Sequence, residues 1–315
     1  MSADRPRSPE GSSLAERVAD RLSAKKQVAG AEPGATAGSP PRDESGAQPA
    51  RPAEASAPPV RVERPAPIVQ PTDGHRPQLQ INFQKLQASG FITPSSPPTA
   101  NTEAIRVIKR QLLKSVFPEG DRRVPEGNNN VIMITSSMPG EGKTFISLNL
   151  AMSFSAERDM FVLLIDADCH RRSMGELLGA KADVGLLDIL ADSSLQVGNL
   201  IQRTNVPNLS FLPGGRPHPH SAELLASKQF GVLMQDIAAR YSDRVIIIDT
   251  PPVLASTEAA VLSAHVGQTL VIVEKDRTSK RQLQRTLEML EGGQNVGCVL
   301  NMVPQEESFT EYGYY

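Results

Sequence analysis

Hydrophobic residues are unevenly distributed along the chain, and from residue 99 onward they form short continuous runs separated by amphipathic stretches. Six runs are typical of buried strands: 131–135, 161–165, 209–212, 245–248, 269–273 and 296–303. Helical patterns lie between them at 143–156, 221–241, 257–265 and 279–291. Continuous apolar strands that alternate with helices predict an α/β domain with a mostly parallel sheet and helices on both faces.

Residues 1–98 show the opposite pattern, because they contain only fifteen large apolar or aromatic residues. Burying each of them would contribute at most ~1.5–3 kcal/mol. Ordering the backbone costs ~1–2 kcal/mol per residue, so the cost exceeds the gain by a wide margin. We therefore expect most of this region to be disordered, with a Pro/Ala/Gly/Ser linker at 30–71.

Two apolar islands interrupt the polar N-terminal region. Segment 12–28 has leucine and valine at four-residue spacing and a capping-box pattern, which is typical of a short amphipathic helix. That helix is either transient or a docking peptide for a partner. Segment 79–93 contains six large apolar residues and could pack on the domain that follows. We therefore divide the chain into 1–98, one domain at 99–305, and a flexible tail at 306–315.

Composition argues against several classes of protein. The net charge is −2, so no basic footprint for nucleic acid is expected. Two cysteines are too few for a disulfide scaffold and suit a reducing cytoplasm. The apolar runs are far shorter than the ~18–20 residues of a membrane-spanning helix, and the N-terminus lacks the apolar core of a signal peptide. The sequence predicts a soluble cytoplasmic protein.

The sharpest functional motif lies directly after the first predicted strand, in segment 136–144, SSMPGEGKT. A glycine-bearing turn that opens a helix lets backbone N–H groups surround phosphate oxygens, and the helix N-terminus adds partial positive charge. In such loops a lysine, here Lys143, neutralises phosphate, and a hydroxyl, here Thr144, ligates Mg²⁺. The strict pattern has glycine where this chain has Ser137. The strand–loop–helix context nevertheless favours a nucleotide site over a purely structural turn.

Three aspartates lie at the carboxyl ends of two other predicted strands. Asp166 and Asp168 come after run 161–165, and Asp249 comes after run 245–248. Open parallel sheets place their ligands at this end of the strands. Acids beside a phosphate site are favourable where they hold a cation or accept a proton. We therefore expect one of the first pair to bind Mg²⁺ and the other to orient or deprotonate a hydroxyl. For Asp168 alone, helix capping is the alternative.

Taken together, the segments SSMPGEGKT, LLIDAD and IIIDTPP resemble the three Walker motifs of bacterial tyrosine kinases. The resemblance implies a P-loop ATPase-like fold, unrelated to eukaryotic protein kinases, over roughly residues 99–315. The chain has four tyrosines, and Tyr312, Tyr314 and Tyr315 look like that family's C-terminal tyrosine cluster. This implies ATP-dependent phosphorylation of the cluster, which we expect to occur between subunits. The N-terminal third, with segment 90–94, is most similar to the autokinases of exosortase-linked exopolysaccharide loci.

The resemblance also implies roles for individual residues. Catalytic roles fall to Lys143, Asp166, Asp168 and Asp249, and Mg²⁺ ligation to Thr144, Asp166 and Asp249. The nucleotide would contact Met138, Pro139, Gly140, Glu141, Gly142, Lys143, Thr144, Phe145 and Asn301. Asn301 could equally be an ordinary asparagine at a strand end.

A further match concerns assembly. Glu103, Arg106 and Lys109 resemble the family's E-x-x-R-x-x-R oligomerisation motif, with lysine in place of the last arginine. Lysine keeps the charge but loses the bidentate donor, and a solvated helix face is the alternative. The implied partners are other copies of the chain, in an oligomer that could be a ring, a membrane-embedded activator of the polysaccharide co-polymerase type, and a tyrosine phosphatase. Such an activator would hold the chain at the inner face of the membrane.

A second hypothesis is a Min/Par-type ATPase, which hydrolyses ATP as a binding switch. Those proteins carry a signature lysine five residues before the P-loop lysine, where this chain has Met138. The terminal tyrosines would then have no role, so the sequence favours the kinase hypothesis.

Overall fold

The structure, a computed structural model, describes residues 78–117, 128–169, 171, 173–180, 184–241, 243–293 and 295–304. All of them lie in one compact unit. The predicted disorder of residues 1–77, the island at 12–28 and the tail at 306–315 fall outside the described residues. No helix within the described ranges is both long and apolar enough to span a bilayer.

The described strands form one sheet with the spatial order β3-β4-β2-β5-β1-β6-β7. Neighbouring strands run parallel, except that β3 is antiparallel to β4. This confirms the predicted mostly parallel sheet. The strands are β1 (Val131–Ser136), β2 (Phe161–Asp166), β3 (Gln202–Arg203), β4 (Leu209–Leu212), β5 (Arg244–Asp249), β6 (Gln268–Glu274) and β7 (Val296–Asn301).

Helices cover both faces of the sheet, as the apolar strand pattern predicted. Alternate residues of β1 face opposite cores: Ile132 and Ile134 pack in one, and Val131 and Met133 pack in the other. The helices are α1 (Phe83–Ala88), α2 (Ala100–Val116), α3 (Lys143–Ser155), α4 (Ser173–Leu178), α5 (Leu186–Ala191), α6 (Val197–Leu200), α7 (Ser221–Leu225), α8 (Lys228–Arg240), α9 (Glu258–Ser263) and α10 (Lys280–Met289).

The predicted single helix at 221–241 is wrong, because the chain forms two helices there, α7 and α8. Ser227 separates them with extended backbone angles, φ −76° and ψ 156°, and serves as the N-cap of α8. The short helices α4, α5 and α6 and the edge strand β3 were not predicted. Each is six residues or shorter, so none carries enough periods to show in the hydrophobic pattern.

The island at 79–93 packs on the domain, as expected. Ile81, Leu86 and Phe91 are buried in the same core as α2 and α3. The ring of Phe91 lies 5.0 Å from that of Phe145 in the first turn of α3, and the Ile92 N–H donates to the Asn149 side chain at 2.7 Å. The packed part of the chain therefore includes residues well before 99.

Helix α2 turns the three residues of the predicted oligomerisation motif in different directions. Glu103 and Arg106 are exposed and form an ion pair with each other. Lys109 is buried, and its Nζ donates to the Ser153 carbonyl at 3.0 Å and to the Glu157 carboxylate at 2.8 Å. Lys109 therefore joins α2 to the end of α3, and it does not share a solvated face with the other two. An oligomerisation role for the motif stays a prediction.

We expect Lys109→Met to lower the free energy of unfolding by about 1.5–3 kcal/mol, the usual worth of a hydrogen bond to a charged group. The matched control is Arg110→Met, which removes the adjacent exposed cation and should change stability by less than about 0.5 kcal/mol. Urea unfolding of both variants measures the difference. Equal losses for the two variants would contradict a structural role for Lys109.

Candidate active site

The phosphate-binding loop connects β1 to α3 and has the backbone shape that its glycines predict. Gly140 and Gly142 have φ angles of 93° and 92°, a region that favours glycine. A Cβ atom on Gly142 would lie 2.2 Å from the side-chain nitrogen of Asn301. Gly142 is also the N-cap of α3 and supplies no side-chain cap to the first N–H groups. The helix therefore begins with donors that an anion could accept from.

Partly buried hydrogen bonds hold this loop in place. The Glu141 carboxylate accepts from the Met138 N–H at 2.8 Å and from the Thr278 hydroxyl. The Asn301 side chain donates to the Glu141 carbonyl at 3.0 Å. The Glu141 side chain thus points into the protein, and the Met138 N–H already has a partner. Asn301, at the end of β7, is brought directly against the loop.

The reactive residues of the motif meet the aspartates at the carboxyl ends of β2 and β5. Lys143 Nζ lies 2.6 Å from Asp168 Oδ2, and both side chains are buried. The Thr144 hydroxyl donates to Asp249 at 2.8 Å, and the Ser147 hydroxyl donates to the other oxygen of the same carboxylate at 2.9 Å. The structure therefore brings together the residues predicted from three separate segments.

Asp166 completes this group from the neighbouring strand. It pairs in register with Asp249 across β2 and β5, and its carboxylate accepts the Asp168 N–H at 3.2 Å. Burial, together with the nearby Asp249 and Asp168 carboxylates, raises the pKa of Asp166 to about 8, against the lowering by the Asp168 N–H and by Lys143. Burial also raises the pKa of Asp249 to about 6, against the lowering by Lys143 and the Thr144 hydroxyl.

Three buried carboxylates therefore share a single lysine, an arrangement that favours an additional cation. Thr144, Asp166 and Asp249 present a hydroxyl and two carboxylates, which are the oxygen ligands that Mg²⁺ prefers. Within the described ranges, no group of three or more His, Cys, Asp or Glu side chains is arranged to hold a metal. Mg²⁺ commonly binds through one or two carboxylates and takes its other ligands from phosphate and water.

The remaining predicted residues lie around this centre or outside the described part of the chain. The Phe145 side chain packs against Phe91. Pro139 is half-buried in the loop. Tyr312, Tyr314 and Tyr315 fall outside the described residues.

Sequence reasoning missed three residues that shape the site: Ser147, Thr278 and Arg277. Ser147 lies one turn after Lys143 on α3, a spacing that could have indicated it. Thr278 and Arg277 reach the loop from the end of β6, and a Cβ atom on Gly140 would lie 3.2 Å from the Arg277 guanidinium. No local signal connects these two residues to a loop more than 130 positions earlier.

Comparisons with known proteins identify relatives for most of the chain. A family model described as "AAA domain" matches residues 129–295. Tyrosine-protein kinase YwqD of Bacillus subtilis is 31% identical over 239 residues, which cover 75% of this chain and 95% of YwqD. Tyrosine-protein kinase wzc of Salmonella typhimurium is 32% identical over 74% of this chain. The match spans only 31% of that relative's own length.

A solved structure shows the same architecture. The kinase domain of Escherichia coli tyrosine kinase ETK aligns with a TM-score of 0.58 and 26% identity, and the alignment covers 75% of this chain and 93% of that domain. This likeness confirms the predicted P-loop ATPase-like fold.

Proposed function

This chain belongs to the bacterial tyrosine kinase family, and from that premise we propose that it is an ATP-dependent kinase that phosphorylates tyrosines of its own C-terminal cluster. The observation that carries the proposal is the hydrogen bond from Thr144 to Asp249, at the start of a helix whose first N–H groups lack a side-chain cap. Asp249 is paired in register with Asp166 on the neighbouring strand. This is the charge arrangement that phosphoryl transfer requires, since positioning and neutralisation dominate that reaction.

The proposed chemistry assigns one task to each buried group. When ATP binds, the Lys143 ammonium leaves the Asp168 carboxylate and pairs with the phosphates of the nucleotide. The Asp168 carboxylate is then available to accept a hydrogen bond from a tyrosine hydroxyl. Thr144, Asp166 and Asp249 would hold Mg²⁺, which when bound would neutralise charge on the phosphate oxygens. A bond forms between the tyrosine oxygen and the γ-phosphorus, the bond from that phosphorus to ADP breaks, and the hydroxyl proton passes to Asp168.

A free tyrosine hydroxyl has a pKa of about 10 and is a weak nucleophile at neutral pH. The loose transition state of phosphoryl transfer relaxes the need for a tyrosinate, so orientation by a carboxylate is sufficient. Asn301 would contact the adenine base, since it lies against the loop at the end of β7. The acceptors are Tyr312, Tyr314 and Tyr315.

We also propose, on the resemblance of the N-terminal third, that the kinase regulates exopolysaccharide synthesis or export. Its partners would be further copies of the chain, a membrane-embedded activator of the co-polymerase type that brings it to the inner face of the membrane, and a tyrosine phosphatase. Transfer between subunits is the part of the proposal that a single experiment tests directly.

We expect phosphoryl transfer between chains in a mixture of two defective variants. One carries Asp166→Asn with the tyrosine cluster intact, and the other keeps the active site but has phenylalanine at Tyr312, Tyr314 and Tyr315. Neither variant can label its own cluster. Incubation with Mg²⁺ and radiolabelled ATP should label the Asp166→Asn chain, which a size tag separates on a gel.

The wild-type chain alone and each variant alone are the controls. A labelled wild type with an unlabelled mixture would show that transfer stays within one chain, which contradicts the inter-subunit proposal. An unlabelled wild type would contradict the autokinase proposal itself.

A further inference from the structure

We propose that a groove beside the active site docks an acidic, tyrosine-containing segment, and that Arg281 and Arg285 of α10 recognise its carboxylates. The occupant is segment 305–315 of another copy of the chain. This inference rests on the proposed kinase function and deepens it, because it names how the acceptor is bound.

The groove lies between the loop that follows β5 and one face of α10, and its volume is about 640 Å³. Val253, Ser256 and Thr257 line one side, and Arg285 and Met289 line the other. It is therefore an open cleft whose lining includes the apolar Val253 and Met289 and the cationic Arg285, and its size suits a side chain with its flanking peptide.

The groove is continuous with the phosphate-binding loop. The Val253 N–H donates to the Ser136 carbonyl at 2.8 Å, and the Leu254 N–H donates to the Ser137 carbonyl at 3.2 Å. From α10, the Thr286 hydroxyl donates to the Ser137 hydroxyl at 2.8 Å. The groove therefore borders the start of the phosphate-binding loop, and a peptide bound there would lie close to the proposed site of phosphoryl transfer.

The charge that the groove presents to solvent is positive. Arg281, Arg285 and Met289 recur at four-residue spacing, so they share one face of α10. Both arginines are exposed, and neither forms an ion pair with a described residue.

The acidic groups near this face have other partners. Glu258, the carboxylate in the groove wall, is buried and accepts a hydrogen bond from the Ser256 hydroxyl. Glu288, the one acidic residue of α10, accepts from the Gln284 side chain at 3.0 Å. Arg285 in the groove and Arg281 one turn earlier on the same helix face are therefore available to a ligand, and guanidinium groups are suited to bidentate contact with carboxylates.

Segment 305–315, QEESFTEYGYY, has the complementary chemistry. It contains three glutamates, Glu306, Glu307 and Glu311, and no lysine or arginine. Phe309 lies between the glutamates and could contact the apolar side chains of the groove. Eleven residues span at most about 36–40 Å, which allows the segment to leave the end of one domain and reach a neighbouring site.

The test uses the full-length kinase and an added acceptor peptide with the sequence of residues 305–315. With Arg281→Ala/Arg285→Ala, we expect the KM for the peptide to rise about three- to tenfold, the worth of two exposed ion pairs. The kcat and the KM for ATP should not change, which also verifies that the variant is folded. Arg281→Lys/Arg285→Lys should recover part of the loss, because it restores the charge without the bidentate geometry.

Two matched controls isolate the charge of this face. Lys280→Ala removes a cation from the same helix at an exposed position outside the face that carries Arg281 and Arg285. It should change the KM for the peptide by less than about twofold. A peptide with glutamine at the three glutamate positions should have the raised KM with the wild-type kinase and show no further change with the arginine variant.

Peptide binding is also measured without catalysis, by fluorescence anisotropy of the labelled peptide. The Kd of the arginine variant for the peptide should be about three- to tenfold higher than that of the wild type. Equal affinity of the wild type and the arginine variant for the acidic peptide would overturn the docking proposal. A wild type that binds the peptide through these arginines but phosphorylates no tyrosine would instead overturn the proposed function.

Discussion

Lys143→Met should lower autophosphorylation by about 10²–10³-fold, the usual cost of removing one group that stabilises transition-state charge. Lys143 lies 2.6 Å from Asp168, and its charge lowers the pKa of both Asp166 and Asp249. Its loss removes the charge that would neutralise the phosphates of ATP. It also leaves Asp168 buried without its partner, so we expect the free energy of unfolding to fall by about 3–5 kcal/mol.

The measurement is the initial rate of phosphotyrosine formation, followed together with urea unfolding. Lys228→Met is the matched control, because Lys228 is an exposed lysine at the start of α8, a helix that packs on the opposite face of the sheet. It should leave both quantities nearly unchanged. Full activity in Lys143→Met would refute the assignment of this loop as the phosphate site.

Asp166→Asn should have opposite effects on activity and stability. It should reduce phosphoryl transfer by about 10²–10⁴-fold, because a ligand for the cation and a buried carboxylate of the site are lost. The same change should raise the free energy of unfolding of the nucleotide-free chain by about 2–5 kcal/mol at pH 8.5, since a costly buried charge is removed. The asparagine oxygen can still accept the Asp168 N–H, so local geometry is retained.

The raised pKa of Asp166 also predicts how the free energy of unfolding changes with pH. Burial and the neighbouring Asp249 and Asp168 raise the pKa of Asp166 to about 8 in the folded chain, so the folded state keeps a proton that the unfolded state releases. The wild-type free energy of unfolding should therefore fall as the pH rises from about 4 to about 8. In Asp166→Asn the decline should end near pH 6, where the raised pKa of Asp249 is reached.

Urea unfolding between pH 4.5 and 8.5, without Mg²⁺ or nucleotide, tests this prediction. Asp159→Asn is the control, because Asp159 is exposed just before β2 and should alter neither activity nor the pH profile. A stabilisation of Asp166→Asn that is equal at all pH values would show that the charge of Asp166 is not its cause.

Much of the site could be predicted because its residues lie next to strong local signals. Asp166 and Asp249 directly follow apolar runs, Asp168 comes two residues after Asp166, and Lys143 and Thr144 stand where a glycine-bearing loop opens a helix. The position of Asp166 beside Asp249 could not be predicted from local sequence, since it depends on the pairing of β2 with β5. Strand order is a property of the packed sheet, and hydrophobic periodicity does not encode it.

The predictions that failed or fell short share a physical cause. The break between α7 and α8 has no glycine or proline to mark it, so the helical pattern at 221–241 looked continuous. Lys109 is a charged residue that the fold buries by pairing it with Glu157, 48 positions away, and no local pattern reports such a partner. Thr278 and Arg277 reach the phosphate-binding loop only because β6 lies beside β1.

The most direct test of the proposed function is to map phosphotyrosine by mass spectrometry after the pure chain is incubated with Mg²⁺ and ATP. The proposal predicts phosphate on Tyr312, Tyr314 and Tyr315. It predicts none on Tyr241, whose half-buried ring is covered by the Arg244 guanidinium at 4.3 Å. Absence of phosphotyrosine from the C-terminal cluster, in a chain that binds ATP, would contradict it.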